Sequence, residues 1–286
     1  CLNVWGAGYS LGREGALVTV ETQVQSNPSV KLSFRNLGKT FFVQDEPKLA
    51  LQNIHAEIRT GEFVSIVGAS GCGKSTLIRI AAGLEQATEG GVYVEDNLVI
   101  KPGQDRGMVF QQFSLFPWLT VKENVMFGLQ DQYPDKVQRE EKAVVWVERV
   151  GLGEFVNYYP NQLSGGMQQR VAIARALAPG PKVLLMDEPF AALDAQTRSR
   201  MQRHLLEIWR DLNITVVFIT HDLEEAVLLA DKIFVLAPKP GRLVATLPID
   251  IPRTKDDLER DKYGPKFERV FKELSALLAD SVPLDH

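Results

Sequence analysis

The sequence predicts an α/β domain, a mostly parallel sheet with an antiparallel β subdomain attached and an α-helical subdomain inserted. Three observations lead there. The apolar runs EFVSIVG, KVLLMDEP and ITVVFITH lack polar alternation, as strands covered on both faces do, and helical stretches stand between them. A glycine-rich loop, GASGCGKST, follows the first of those runs and opens a helix. Residues 30–60 alternate apolar and polar in two segments, whereas the stretch from Gln112 to Pro160 turns helical.

In chain order, VKLSFRNLGKTFF and ALQNIHAEIRT read as half-buried antiparallel strands, and EFVSIVG as a buried strand feeding the helix STLIRIAAGL. GGVYVEDNLVI has the form of a hairpin. TVKENVMFGL and DKVQREEKAVVWVERVGL are helices, with Thr120 and Asp135 placed as N-caps. VAIARAL is helical, KVLLMDEP a strand, QTRSRMQRHLLEIWRDL a helix and ITVVFITH another strand. The helix DLEEAVLLA and the strands KIFVLAP and GRLVATLPI complete the sheet domain. The expected organisation is a flexible leader over residues 1–29, the sheet domain over 30–252 with its helical insertion at about 112–166, and a helical tail over 253–286. In that tail Phe267, Val270, Phe271, Leu274, Leu277 and Leu278 form one stripe, the pattern of a helix docked on the core.

The 286 residues are 45% hydrophobic and 24% charged, an ordinary globular composition with ample material for a core. A net charge of −4 gives no basic field for nucleic acid. The two cysteines, Cys1 and Cys72, make no disulfide framework, so a reducing cytosol is expected. No run of about 18 apolar residues is present, so no membrane-spanning helix is expected.

GASGCGKST fits G-x-x-x-x-G-K-[ST], the P-loop pattern. Backbone amides of Gly68, Ala69, Ser70, Gly71, Cys72 and Gly73 curl around phosphates, and the helix dipole behind them adds positive charge. Lys74 supplies a cation for the terminal phosphates, Ser75 a hydroxyl for Mg²⁺, and Thr76 continues the loop into the helix. Asp187 ends a buried strand, where a carboxylate reaches the metal shell. Glu188 follows, pointing elsewhere, and suits polarising a water beside the γ-phosphate. His221 ends another strand at the same sheet edge and is placed to sense that phosphate. A second phosphate grip opens LSGGMQQRVAIARAL, with Ser164, Gly165 and Gly166 at a helix start.

Taken in order, GASGCGKST, VFQ at Gln111, LSGGMQQR, LLMDEP, ALD at Asp194 and ITH at His221 resemble the ATP-binding cassette (ABC) ATPases, P-loop NTPases with a RecA-like core. The resemblance covers roughly Val30 to Pro252. It implies ATP and Mg²⁺ as ligands, Gln111 joining Ser75 and Asp187 at the metal, and an aromatic, here Phe41 or Phe42 with Phe41 favoured, stacking on adenine. It also implies that Asp194 organises the contact between two ATPase subunits, and that Ser164, Gly165 and Gly166 of one cover the nucleotide held by Lys74 of the other. The stretches DRGMVFQQFSLFPWLTVKENVMFGL and THDLEEAVLLADKIFVLAPKPGRL resemble the nitrate, sulfonate, taurine and bicarbonate importer group. In that group the segment from Gln111 to Trp118 docks on a transmembrane permease at the cytoplasmic face of the membrane, with a periplasmic or extracellular substrate-binding protein as an indirect partner. Two other function classes fit less well. A nucleic-acid-linked ATPase lacks its basic field and zinc-ligand cysteines here, and a non-hydrolytic module would not need Lys74, Asp187, Glu188 and His221 together.

Overall fold

The computed structural model describes residues 29–253, 260–262 and 264–281. The leader expected over Cys1–Ser29 thus lies outside the described residues, Ser29 apart. Strands β1 (Val30–Val43) and β2 (Glu46–Arg59) pair antiparallel through a two-residue turn, Gln44–Asp45, with both residues at positive φ. Such turns match the right-handed twist of the strands they join. β3 (Phe63–Gly68) leads into α1 (Lys74–Ala81), and β4 (Glu89–Val94) and β5 (Asn97–Leu98) form the expected hairpin.

A short strand β6 (Arg106–Val109) follows, which the sequence pattern did not announce. It is four residues long and holds Gly107, whose missing Cβ leaves room for the Ala176 carbonyl; a Cβ there would sit 2.6 Å from that oxygen. Glycine inside a strand marks such a close approach of backbone. Next come α2 (Val121–Gly128), α3 (Lys136–Arg149) and α4 (Gly165–Leu177). Thr120 caps α2 in a full capping box with Glu123, and Asp135 caps α3, both as read from the sequence. β7 (Val183–Asp187), α5 (Ala195–Leu212), β8 (Thr215–Ile219), α6 (Leu223–Leu229), β9 (Lys232–Ala237), β10 (Arg242–Pro248) and α7 (Pro265–Ser281) complete the chain.

Among the described residues the strands form two sheets. One is antiparallel, in the order β2-β1-β4-β5; the other has the order β10-β9-β3-β8-β7-β6 and is parallel except for its β10 edge. Alternation along the parallel strands divides the core in two. Leu184, Met186, Val216 and Phe218 face a cluster that includes α4, α5, α6 and α7; Val183, Leu185, Val217 and Ile219 face a cluster with α1 and the antiparallel sheet. Strands buried on both faces have no polar side to show, which is why they read as continuous apolar runs.

The tail helix α7 buries Phe267, Val270 and Leu274 in the first cluster, with Phe271, Leu277 and Leu278 packed at its margin. Three fully buried apolar side chains contribute roughly 1.5–3 kcal/mol each, enough to dock a helix on an existing core. Ahead of α7, Arg260 is 5% exposed and donates to the carbonyls of Val227, Ala230 and Ile251, so a tail residue caps the C-terminal end of α6.

Candidate nucleotide site

Because β3, β7 and β8 run parallel, their carboxyl ends share one edge of the sheet. Asp187 lies abreast of Ile219, and Ile219 abreast of Ile66. The chain leaves β3 at Gly68, passes Gly71 and Gly73 at φ of 75° and 95°, and enters α1. Gly73 is the N-cap and offers no side-chain acceptor, so the first amides of α1 have no side-chain cap over them. Gly68 has a different constraint: a Cβ there would stand 2.5 Å from the Leu236 carbonyl oxygen and 2.7 Å from Cys72 Sγ.

A cavity of about 440 Å³ opens above this loop, lined by Gly68, Ser70, Gly71, Gly73, Lys74, Ser75, Thr76, Glu188 and His221. Its size suits a small polyanionic ligand. Lys74 Nζ donates to the Gly68 and Ala69 carbonyls at 2.8 and 3.1 Å, which fixes the ammonium inside the loop's curl. Cys72 lies beneath the loop, fully buried; burial pushes its thiol up, with Lys74 pulling the other way.

Ser75 Oγ donates to Asp187 Oδ1 at 3.2 Å. Burial pushes the Asp187 carboxyl above the usual aspartate range; the Ser75 hydrogen bond lowers it and neighbouring Glu188 raises it again. A hydroxyl and an incompletely compensated buried carboxylate are the hard oxygen donors that Mg²⁺ takes, so this pair fits the metal. Gln111, the third expected metal residue, is exposed and donates its Nε2 to Glu188 Oε2 at 3.4 Å. The same carboxylate oxygen lies 3.1 Å from His221 Nδ1. Glu188 is therefore held between Gln111 and His221, over the cavity that Lys74 also lines. Its backbone sits at φ 46°, left-handed, and its amide donates to the Ile219 carbonyl at 3.0 Å. Left-handed backbone costs a non-glycine residue roughly 1–2 kcal/mol, and here it turns the carboxylate out of strand β7.

The second expected phosphate grip stands apart. Ser164 caps α4 and accepts the Met167 amide, as the sequence implied. Ser164 and Gly166 line a groove with Met167, Arg170, Thr197 and Arg200, and this groove shares no lining residue with the cavity above the loop. The structure thus does not bring Ser164, Gly165 and Gly166 to this chain's own Lys74. They lie instead beside the start of α5, which Asp194 caps by accepting the Thr197 amide at 3.0 Å. Phe41 and Phe42 do not line the cavity either; Phe41 is half-buried on β1 beneath Lys39, 4.7 Å from its ring centre, and Phe42 is 73% exposed.

Sequence reading missed two side chains that organise the segment after Gln111. Asn124, fully buried on α2, accepts the Phe116 amide at 2.9 Å and donates to the Phe116, Leu119 and Thr120 carbonyls. Arg175 on α4 donates to the Ser114 and Phe113 carbonyls, with its guanidinium 5.7 Å from the Phe116 ring centre. They hold out an aromatic patch in which Phe116 touches Trp118, 70% exposed, and Phe127, 46% exposed. An asparagine within a helical pattern carries no local signal for this role, since most of its partners lie in the preceding loop.

Comparison with known proteins gives concordant results. The family described as "ABC transporter" matches residues 51–191. The chain is 48% identical over 251 residues to a nitrate import ATP-binding protein of Synechocystis sp., covering 86% of this chain and 94% of that protein. It is 46% identical over 235 residues to a bicarbonate transport ATP-binding protein of Synechococcus elongatus, covering 81% of this chain and 35% of that longer protein. Among solved structures, an ATP-binding cassette in a dimeric post-hydrolysis state bound to ADP and Pi superposes with a TM-score of 0.68. That cassette is 37% identical, and the match covers 76% of this chain and 98% of it.

Proposed function

The chain belongs to the ABC transporter family of ATP-binding subunits, and from that premise we propose that it hydrolyses ATP to drive a membrane importer of a small oxyanion, working as a nucleotide-bridged pair. The nitrate and bicarbonate relatives support this cargo class. What carries the hydrolytic part is the Glu188 carboxylate, held by His221 and Gln111 beside the phosphate loop.

In this reading the triphosphate enters the loop and exchanges its oxygens for the carbonyls that Lys74 now engages. Ser75, Asp187 and Gln111 would hold Mg²⁺, whose chemistry when bound is to neutralise charge on the phosphates. Glu188 accepts a proton from the attacking water as its oxygen bonds to the γ-phosphorus and the bond to the β-phosphate oxygen breaks. His221 meets the carboxylate through Nδ1 while the phosphate site is open, and turns its ring N–H toward the γ-phosphate once the triphosphate is bound. The partner subunit's Ser164 closes the far side, adding fixed dipoles where charge develops. Closure is passed to a permease through the exposed patch around Phe116 and Trp118, which Arg175 ties to the same helix that Ser164 caps. Such a patch, apolar and uncovered, suits a protein interface. Among the described residues no helix is long and apolar enough to cross a membrane. The proposed place, peripheral and beneath the permease on the cytoplasmic face, rests on the likeness to import ATP-binding subunits. The residue ranges in this scheme are a catalytic domain over 30–252, with its helical insertion at 112–166, and a docked tail beyond.

The test is Glu188→Gln. The variant is expected to bind ATP normally, to lose about 100-fold or more in kcat, and to accumulate as an ATP-bound dimer on size exclusion. Turnover like wild type removes Glu188 from the base role. Cargo is read by reconstituting the subunit with its permease and asking whether nitrate or bicarbonate stimulates ATP hydrolysis.

A further inference from the structure

Glu225 is a carboxylate on α6 that no step above uses, and it is 5% exposed. It is held by two neutral donors: Thr220 Oγ1 gives a hydrogen bond to its Oε2 at 2.5 Å, and Gln202 Nε2 of α5 gives one to its Oε1 at 2.9 Å. Burial pushes its carboxyl up, and these two bonds pull it back. Burying a carboxylate beside neutral donors costs more than burying an apolar side chain of the same shape, so stability alone does not account for it.

The position of Thr220 suggests what the carboxylate is for. Thr220 is the residue between the end of β8 and His221, and its hydroxyl reaches across that histidine to two residues that follow it. It donates forward to Glu225 and accepts the Asp222 amide at 3.0 Å. The His221 side chain is 64% exposed and meets Glu188 at 3.1 Å, so packing does little to hold the ring. Its place over the cavity follows the backbone turn at residues 220–222, which the Thr220 hydroxyl bridges. We infer that Glu225 is a positioning residue for His221, acting through the Thr220 hydroxyl.

The same brace reaches the Asp194 loop. Asp222 caps α6 through the Glu224 and Glu225 amides and takes Arg198 Nη1 on its other oxygen at 3.4 Å. Arg198 Nη2 donates in turn to the carbonyl of Leu193, next to Asp194. A narrow cavity is lined by Glu188 together with Arg198, Thr220, His221 and Glu225, so this network and the carboxylate proposed to activate water share it. The histidine turn and the Asp194 loop are thereby built on one set of hydrogen bonds.

The inference rests on the role given to His221 above, so the test is a double-mutant cycle with that residue in the full chain. Glu225→Ala is expected to lower kcat about tenfold while KM for ATP stays within about twofold, the signature of an interaction lost in the transition state. In a His221→Ala background the same change is expected to cost less than about twofold, since coupled residues are non-additive. Thr220→Ala should reproduce the loss and Thr220→Ser, which keeps the hydroxyl, should restore the rate; this pair decides the question if Glu225→Ala fails to fold. An undiminished loss in the His221→Ala background overturns the proposal, as does an unchanged kcat in Glu225→Ala. If His221→Ala alone turns over like wild type, the role of His221 falls and the proposal with it.

Discussion

Asp187 shows how the site spends stability on function. Its carboxylate ends a fully apolar strand with 8% exposure, and the Ser75 hydroxyl is its hydrogen-bonding partner. Burial raises its pKa above the ordinary 3.8, so the folded chain binds this proton more tightly than the unfolded chain does. Stability from this group is then present at low pH and is lost as pH rises from the unfolded value through the raised folded one. The penalty therefore grows as pH rises above the unfolded value. Asp187→Asn is therefore expected to raise Tm without nucleotide at pH 7, with an advantage that shrinks as pH falls towards 4, while Mg²⁺-dependent ATP hydrolysis is lost. Scanning calorimetry of both proteins across that range checks it, and a lower Tm for the variant at pH 7 contradicts it. The sequence revealed this carboxylate, because a charge ending an apolar run stands out. It did not reveal that Glu188 takes left-handed backbone, since the conformation is imposed by its amide bonding to β8, far along the chain.

At the scale of elements, the loop 113–119 owes its shape to two helices it does not belong to. Asn124 of α2 closes it through the Phe116 amide and the Phe116 and Leu119 carbonyls, and Arg175 of α4 holds its other end. Asn124→Ala leaves the Phe116 amide and nearby carbonyls to find other partners, at an expected cost of about 2 kcal/mol in chemical denaturation. Hydrogen exchange at the Phe116 amide should quicken in step. A loss below about 0.5 kcal/mol with unchanged exchange would mean that the loop is held by its aromatic contacts instead. What the sequence made legible here was local: the caps Thr120 and Asp135, whose partners lie three residues on. Strand β6 was not legible, because four residues with an internal glycine carry too little pattern, and only the neighbouring β7 makes them a strand. The docked tail was half legible. Its stripe showed in the helical period, but the capping of α6 by Arg260 depends on where the tail folds back.

At the scale of the whole molecule, the two segments proposed as phosphate grips line separate pockets of one chain. The cavity at Lys74 and the groove at Ser164 have no lining residue in common, and each has a helix N-terminus of its own. A two-fold pair would supply both to one site: each subunit would offer its loop to one nucleotide and its Ser164 to the other. The resemblance implied this arrangement from the order of motifs, while the fold supplies the physical reason that a single chain does not assemble it. The consequence is a complementation test. Lys74→Ala and Ser164→Ala chains are each expected to be inactive alone, since every site in either homodimer lacks one grip. Mixed, they form pairs in which one site has lost both grips and the other keeps both. With random pairing half of the dimers are mixed and each has one intact site of two, so about a quarter of wild-type ATPase activity should return if the sites act independently. Activity that returns on mixing and scales with the mixed-dimer fraction supports the shared site. If mixing restores nothing, both grips serve the nucleotide of a single chain, and the separation of the two pockets has to be closed by a movement within it.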